Sequence, residues 1–231
     1  MVAPSVTEST AWIGTGTEFF TARAATVRIE AGSSLPGWTN GHVLAHVARN
    51  AEAITRLLTW TRTGVETPMY ASVEARNADI ERGAGRPLPA QLADLRATAA
   101  DLDAELAAVP DDAWSTAVRM VSGRTISGAE VPWLRVKEVW LHAVDIGAAV
   151  TELPPDLVTE LLGDVVAGFD ARADVPGLRL LDASSGTEFT VGTGDVDVRG
   201  DEAELLAWLT GRSAGARLHC AGGLPRLPNW A

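Results

Sequence analysis

Four long stretches with apolar residues at helical spacing fill the first 150 residues, and this pattern constrains the fold more than any other feature of the chain. The first runs over 8–31, with Trp12, Phe19, Phe20, Ala24, Val27 and Ile29 available for an inward face. Ser33-Ser34-Leu35-Pro36-Gly37 stops it. Thr39 or Asn40 can cap a second helix, whose Val43, Leu44, Val47, Ile54, Leu57 and Leu58 form a helical stripe and not a strand alternation. Gly64 and Pro68 end it. The mixed stretch 65–87 holds a short helix near Val73–Glu81. Ala90–Ala108, rich in Ala and Leu, is a helix by propensity, ended by Pro110-Asp111-Asp112. Trp114–Ala129 suits helix poorly. The last long helix is expected over Val131–Val150, with Pro132 in its first turn. Four helices of this length predict an antiparallel bundle.

The pattern then changes. Thr151-Glu152-Leu153-Pro154-Pro155 reads as a linker and Asp156–Ala173 as a helix. Gly177–Ala183, Thr187–Val191 and Asp195–Val198 are short and strand-like, separated by Gly and Ser turns. Asp201–Thr210 is helical again, and Ala216–Cys220 is a candidate last strand. The class is therefore α+β: a helical bundle over 1–151 and a small α+β domain over 152–231. There is no internal repeat and no low-complexity run.

Composition narrows the function classes. The chain has 19 Lys and Arg against 30 Asp and Glu, a net charge of −11, which argues against nucleic acid or an anionic membrane surface as partner. The amino terminus lacks the basic start and apolar run of a signal peptide, and no uninterrupted apolar stretch is long enough to span a bilayer. A cytoplasmic protein is the expectation. One Cys leaves no intramolecular disulfide framework and no Cys-rich zinc module. Cys220 follows His219, but neighbours in a strand face opposite ways, so a small buried Cys is expected. Gly14-Thr15-Gly16 and Gly192-Thr193-Gly194 lack the third Gly and the flanks of a dinucleotide loop.

With four His in the chain, any His-based metal site must draw on His42, His46, His142 and His219. His42 and His46 are four apart on the second helix, and Glu138 and His142 four apart on the last. Each pair shares a helical face, one turn apart. Glu and His side chains on facing helices can converge on one ion inside a bundle. Three such ligands with an open position describe a catalytic zinc site, and other divalent ions accept the same donors. Spacing alone leaves His42 and His46 as alternatives, one a ligand and the other beside it in the pocket, and it also suits solvent-facing pairs. Arg212 follows the 201–210 helix, where it can cap its own helix end or clamp a carboxylate. Trp38 and Trp140 flank the ligand helices and are read as core packing.

The segment Leu35-Pro36-Gly37-Trp38-Thr39-Asn40-Gly41-His42-Val43-Leu44-Ala45-His46-Val47-Ala48-Arg49-Asn50 resembles the second-helix signature of mycothiol-dependent maleylpyruvate isomerases. So do Glu66-Thr67-Pro68-Met69-Tyr70 and Glu74-Ala75-Arg76-Asn77. Arg135 to Gly147, with Glu138, Trp140 and His142, is similar to the family's fourth-helix signature. Gly211-Arg212 and the closing Leu224-Pro225-Arg226-Leu227-Pro228-Asn229-Trp230 match its C-terminal pattern. The resemblance implies a DinB-like four-helix bundle followed by a small, sterol-carrier-like α+β domain. It implies a divalent ion, usually zinc, on His46, Glu138 and His142, with His42 not a ligand, and it implies Arg212 in the cleft between the domains. His42 and Arg76 are further pocket candidates.

The expected reaction is conversion of maleylpyruvate into fumarylpyruvate in gentisate breakdown. Mycothiol, as a metal-bound thiolate, adds to the double bond, the bond rotates, and the thiolate leaves. A small-molecule substrate, a low-molecular-weight thiol and a monomeric protein are expected. The alternatives are another mycothiol-dependent S-transferase on this fold and a non-catalytic metal- or small-ligand-binding module.

Overall fold

The computed structural model describes residues 3–230. The chain divides into two compact units, one spanning Pro4–Ala148 and the other formed from Ala149 onward. No helix among the described residues is long and apolar enough to cross a membrane.

The first unit is built on α1 (Val6–Ala24), α2 (Asn40–Thr63), α3 (Val73–Ala84), α4 (Leu88–Ala108) and α5 (Val131–Asp145). Helix α2 is central and packs on α3, α4 and α5, while α1 packs on α5 and α4. The apolar stripe of α2 explains this position. Val43, Leu44, Val47, Ile54, Leu57 and Leu58 are all at most 1% exposed. Each such burial contributes about 1.5–3 kcal/mol relative to exposure. Thr39 is the N-cap of α2, and Gly64, with φ +71°, closes it in the left-handed conformation. Helix α1 can approach α5 because residue 16 is glycine. A Cβ there would lie 2.5 Å from Trp140 Nε1 and 2.7 Å from Val139 Cγ2. Trp140 uses that closeness to donate its indole N–H to the Trp12 carbonyl at 2.9 Å.

Two helix ends are corrected here, and one stretch that suits helix poorly gains an element. Helix α1 ends at Ala24 and not near residue 31. The carbonyls of Arg28, Ile29 and Ala31 instead accept hydrogen bonds from the Asn40 side chain, Gly41 N and Asn40 N, groups at the start of α2 that no helical turn can satisfy. Helix α5 ends at Asp145 and not at 150; Gly147, at φ +103°, turns the chain away. The stretch 114–129 contains a short antiparallel hairpin, β1 (Ala117–Arg119) with β2 (Thr125–Ser127), pairing Val118 with Ile126 and turning at Gly123.

The second unit contains α6 (Pro155–Asp170), β3 (Leu178–Asp182), β4 (Glu188–Val191), β5 (Val196–Gly200) and α7 (Glu202–Leu209). The sheet order is β4-β3-β5, with β3 antiparallel to β4 and parallel to β5. Leu178, Leu180, Val191 and Val198 turn inward, and α6 packs on α7 and β4. Gly192-Thr193-Gly194 is the turn between β4 and β5, with both glycines at positive φ, and Gly14-Thr15-Gly16 lies inside α1. The expected strand 216–220 is reduced to a single bridge, His219 to Arg199. Cys220 is half-buried and not buried, with its thiol donating to the Gly223 carbonyl at 3.0 Å.

Asp182 organises the far end of this sheet. Its carboxylate accepts from Ser184 Oγ at 2.7 Å, Ser185 N at 2.6 Å and Glu202 N, at the start of α7, at 3.1 Å. Burial alone would raise its pKa, but the bonds from Ser185, Ser184 and Glu202 together bring it down to about 2. A carboxylate whose pKa is depressed by folding stabilises the fold above its unfolded pKa, and the gain is lost as pH falls through the folded value. Asp182→Ala is therefore expected to destabilise the protein by about 2 kcal/mol at neutral pH. In thermal melts the deficit should shrink between about pH 4 and pH 2.

Candidate metal centre

The first unit brings together the donors of three sequence candidates: His46 from the second turn of α2, and Glu138 and His142 one turn apart on α5. Their ligand atoms all lie within 4.8 Å of one another. Glu138 Oε2 is 2.9 Å from His46 Nε2 and 3.2 Å from His142 Nε2. The two imidazoles meet edge to face, with centroids 4.8 Å apart. Ligand atoms of a tetrahedral zinc at its usual bond lengths stand about 3.4 Å apart. The donor set and its spacing therefore fit a divalent ion. His46 is 7% exposed at its side chain and His142 14%, whereas Glu138 retains 28%, so the cluster is sheltered but reachable from solvent.

The protonation pattern follows from the contacts. His142 has Nδ1 2.8 Å from Asp145 Oδ2 and Nε2 facing Glu138, an acceptor at each nitrogen. Burial opposes its charge, but the hydrogen bonds to Asp145 and Glu138 prevail and raise its pKa. Burial pushes the His46 pKa down, and Glu138 offsets this only in part. Burial would favour a neutral Glu138, yet the charge of His46 and the hydrogen bonds from both imidazoles hold its pKa well below the usual carboxylate range. The carboxylate is therefore ionised in the neutral pH range, as a metal ligand must be.

Asp145, which the sequence reasoning did not single out, lies three residues after His142. Its side chain is fully buried, with Oδ2 on His142 Nδ1 and Oδ1 accepting from Ser34 Oγ at 2.6 Å. A carboxylate behind a histidine keeps the proton on Nδ1 and leaves Nε2 free to ligate. The signal available in the sequence was the i, i+3 spacing from His142 along the face that also holds Glu138. Arg135, one turn before Glu138, is also buried. Its Nη1 donates to the Val47 carbonyl at 2.8 Å and Asn50 Oδ1 at 2.9 Å, tying α5 to α2 directly beneath the cluster. Burial lowers its pKa to about 10, with Glu138 and Asp103 opposing the shift, so it stays cationic at neutral pH.

The other candidates lie elsewhere. His42 is turned toward the N-terminus of its own helix. Its Nδ1 accepts from Thr39 N at 3.2 Å and is 2.8 Å from Thr39 Oγ1, while Nε2 faces Glu81 at 3.4 Å. It is not among the converging donors. Trp38 is half-buried and lies against both histidines, stacked 6.1 Å from His42 and edge-on 5.5 Å from His46, and so forms a wall of the centre. Trp140 is in the core, at 3% exposure. Arg76, on α3, reaches His46 Nδ1 with Nη2 at 3.2 Å. Arg212 belongs to the second unit, just after α7, where Nη1 donates to the Thr210 carbonyl at 3.3 Å, the helix-end contact considered from the sequence.

Two family descriptions cover the chain: "Mycothiol maleylpyruvate isomerase N-terminal domain" over residues 14–147 and "MDMPI C-terminal domain" over residues 152–229. No curated protein matches it. Two crystal structures of a mycothiol-dependent maleylpyruvate isomerase, one of them a histidine-to-alanine mutant, are each 32% identical, with 100% of both chains covered and a TM-score of 0.92. Identity at this level over the full length of both chains, with both domains matched in order, shows that the chain belongs to the mycothiol-dependent maleylpyruvate isomerase family.

Proposed function

We propose that this protein is an isomerase that converts maleylpyruvate into fumarylpyruvate with mycothiol as the thiol cofactor, acting as a cytoplasmic monomer on a small dianionic substrate. The observation that carries the reading is the convergence of His46, Glu138 and His142 on one sheltered point, in a chain of this family. His46 Nε2, His142 Nε2 and a Glu138 oxygen would hold the ion, which zinc suits by donor type. Such an ion supplies an open position at which a thiol loses its proton at neutral pH, so that the sulfur can add to and leave an activated double bond.

The chain's own residues set the conditions. Glu138 is the single anion among the three donors, so a divalent ion there keeps a net positive charge that favours an incoming thiolate. Asp145 orients His142 through Nδ1, and Ser34 fixes Asp145 in turn. Trp38, against His46, limits the water around the centre. The single cysteine, Cys220, donates its thiol to the Gly223 carbonyl, and the reactive sulfur of the proposed reaction is the thiol cofactor's. Arg212 is the candidate for a substrate carboxylate or enolate, by its match to the family's C-terminal pattern.

A single assay tests the reading. Maleylpyruvate loss should require mycothiol and should stop when a chelator removes the ion. His46→Ala should lose both metal and activity, and Arg212→Ala should lose turnover with its metal content intact. Full activity in the metal-free protein, or without a thiol, would overturn the proposal. Conjugation of mycothiol to an electrophile with no isomerisation would favour an S-transferase instead. Asp145→Asn is a finer probe. An amide can donate to His142 Nδ1, which favours the tautomer with the proton on Nε2 and removes that nitrogen as a ligand. Zinc affinity is expected to fall about 10–100-fold while the circular dichroism spectrum is retained. Unchanged affinity would show that Asp145 does not orient the ligand.

A further inference from the structure

Beside the metal centre, α2 and α3 enclose a pocket of about 230 Å³, lined by Arg49, Glu52, Arg56, Tyr70, Arg76 and Asp79. Its charges are not balanced. Arg49 is neutralised by Glu52 at 2.9 Å and Asp94 at 2.8 Å, and Asp79 is paired with Arg82. Both acids of the pocket are thus already committed. Arg56 donates to the Met69 carbonyl at 2.8 Å. Arg76 is half-buried, lies 5.8 Å from the centre of the Tyr70 ring, and donates to Asn77 Oδ1 at 3.0 Å. Among the described residues neither Arg56 nor Arg76 has a carboxylate partner. Two guanidinium groups without counter-charge at one concave site suit a carboxylate, which they bind with paired N–H donors.

We infer, resting on the proposed dianionic substrate, that this pocket is a carboxylate subsite in which Arg56 and Arg76 bind one end of that substrate beside the metal. The contact between Arg76 and His46 links the two sites. A guanidinium only donates, so His46 Nδ1 must accept from Arg76, and the ring proton is then on Nε2, facing Glu138. A neutral imidazole that ligates through Nε2 carries its proton on Nδ1 instead. Nδ1 and the guanidinium would then both be donors, and the contact turns repulsive. Filling the metal site therefore releases Arg76 from His46 and frees its Nη2 for the pocket. Without the ion Arg76 competes for His46, and with it Arg76 completes the carboxylate site. By linkage, metal and carboxylate strengthen each other's binding.

Calorimetric titration of maleate, a cis-dicarboxylate, into the protein with and without zinc tests this, alongside zinc affinity measured by competition with a chromogenic chelator. Maleate is expected to bind the zinc-loaded protein more tightly than the zinc-free one. Arg76→Gln and Arg56→Gln should each weaken that binding about tenfold or more. Zinc affinity in Arg76→Gln should equal or exceed that of the unmodified protein, because a competitor for His46 is gone. Equal maleate binding with and without zinc, equal binding by both variants, or a loss of zinc in Arg76→Gln would each overturn the inference. The last would mean that Arg76 supports His46 and does not compete for it. If maleate binds as expected yet maleylpyruvate is not isomerised with mycothiol, the proposed activity fails and the subsite stands.

Discussion

One carboxylate oxygen shared by two imidazoles, at the seam of α2 and α5, sets the terms for the rest of the first unit. Glu138 Oε2 faces His46 Nε2 and His142 Nε2 at hydrogen-bonding distance, in a setting where an unpaired charge is costly. The surroundings supply what that anion needs. Arg135 is buried one turn away as a cation, and its bonds to Val47 and Asn50 join α5 to α2 close to His46 and Glu138 in sequence. Asp145 compensates His142 from the other side and ties the end of α5 to Ser34, in the segment leading into α2. The approach of α1 through Gly16 closes the opposite side of α5. The polar centre and the apolar packing are thus two faces of the same helix contacts, and moving one helix would displace a donor.

The reach of sequence reasoning follows from which signals are local. The helices of the first unit were legible because their apolar stripes and their Pro and Gly breaks are local, and Thr39 and Gly64 bound α2 as their chemistry suggests. Departures occur where a distant segment decides or where an element is too short to leave a pattern. Residues 25–31 have helical spacing, but their carbonyls are claimed by the start of α2. The hairpin at Val118 and Ile126 uses strands of three residues, too short for an alternation to stand out. At Ala216–Cys220 only one bridge forms, to Arg199.

The centre was legible in the same graded way. Spacing brings Glu138 and His142 to one face of α5 but leaves His42 and His46 equivalent. Their difference is tertiary: His42 turns back to Thr39, and His46 turns to Glu138. Asp145 and Arg135 share the stripe of Glu138 and His142, yet nothing in the sequence says that both would be buried. The net charge of −11 likewise describes the surface as a whole and not the centre. There, Arg76 reaches His46, and Arg76 and Arg56 line the adjoining pocket with no carboxylate partner among the described residues, inside a protein that is acidic as a whole.

The central claim is that His46, Glu138 and His142 hold one ion with a position left open for a thiol. Cobalt(II) substitution reads it directly, because the ion's visible absorption reports coordination and a sulfur-to-cobalt charge-transfer band reports a bound thiolate. The account predicts one cobalt per chain, with the near-ultraviolet band appearing when mycothiol is added and absent in His46→Ala. Cobalt bound without any spectral change on adding mycothiol, in a preparation that still turns over maleylpyruvate, would contradict it.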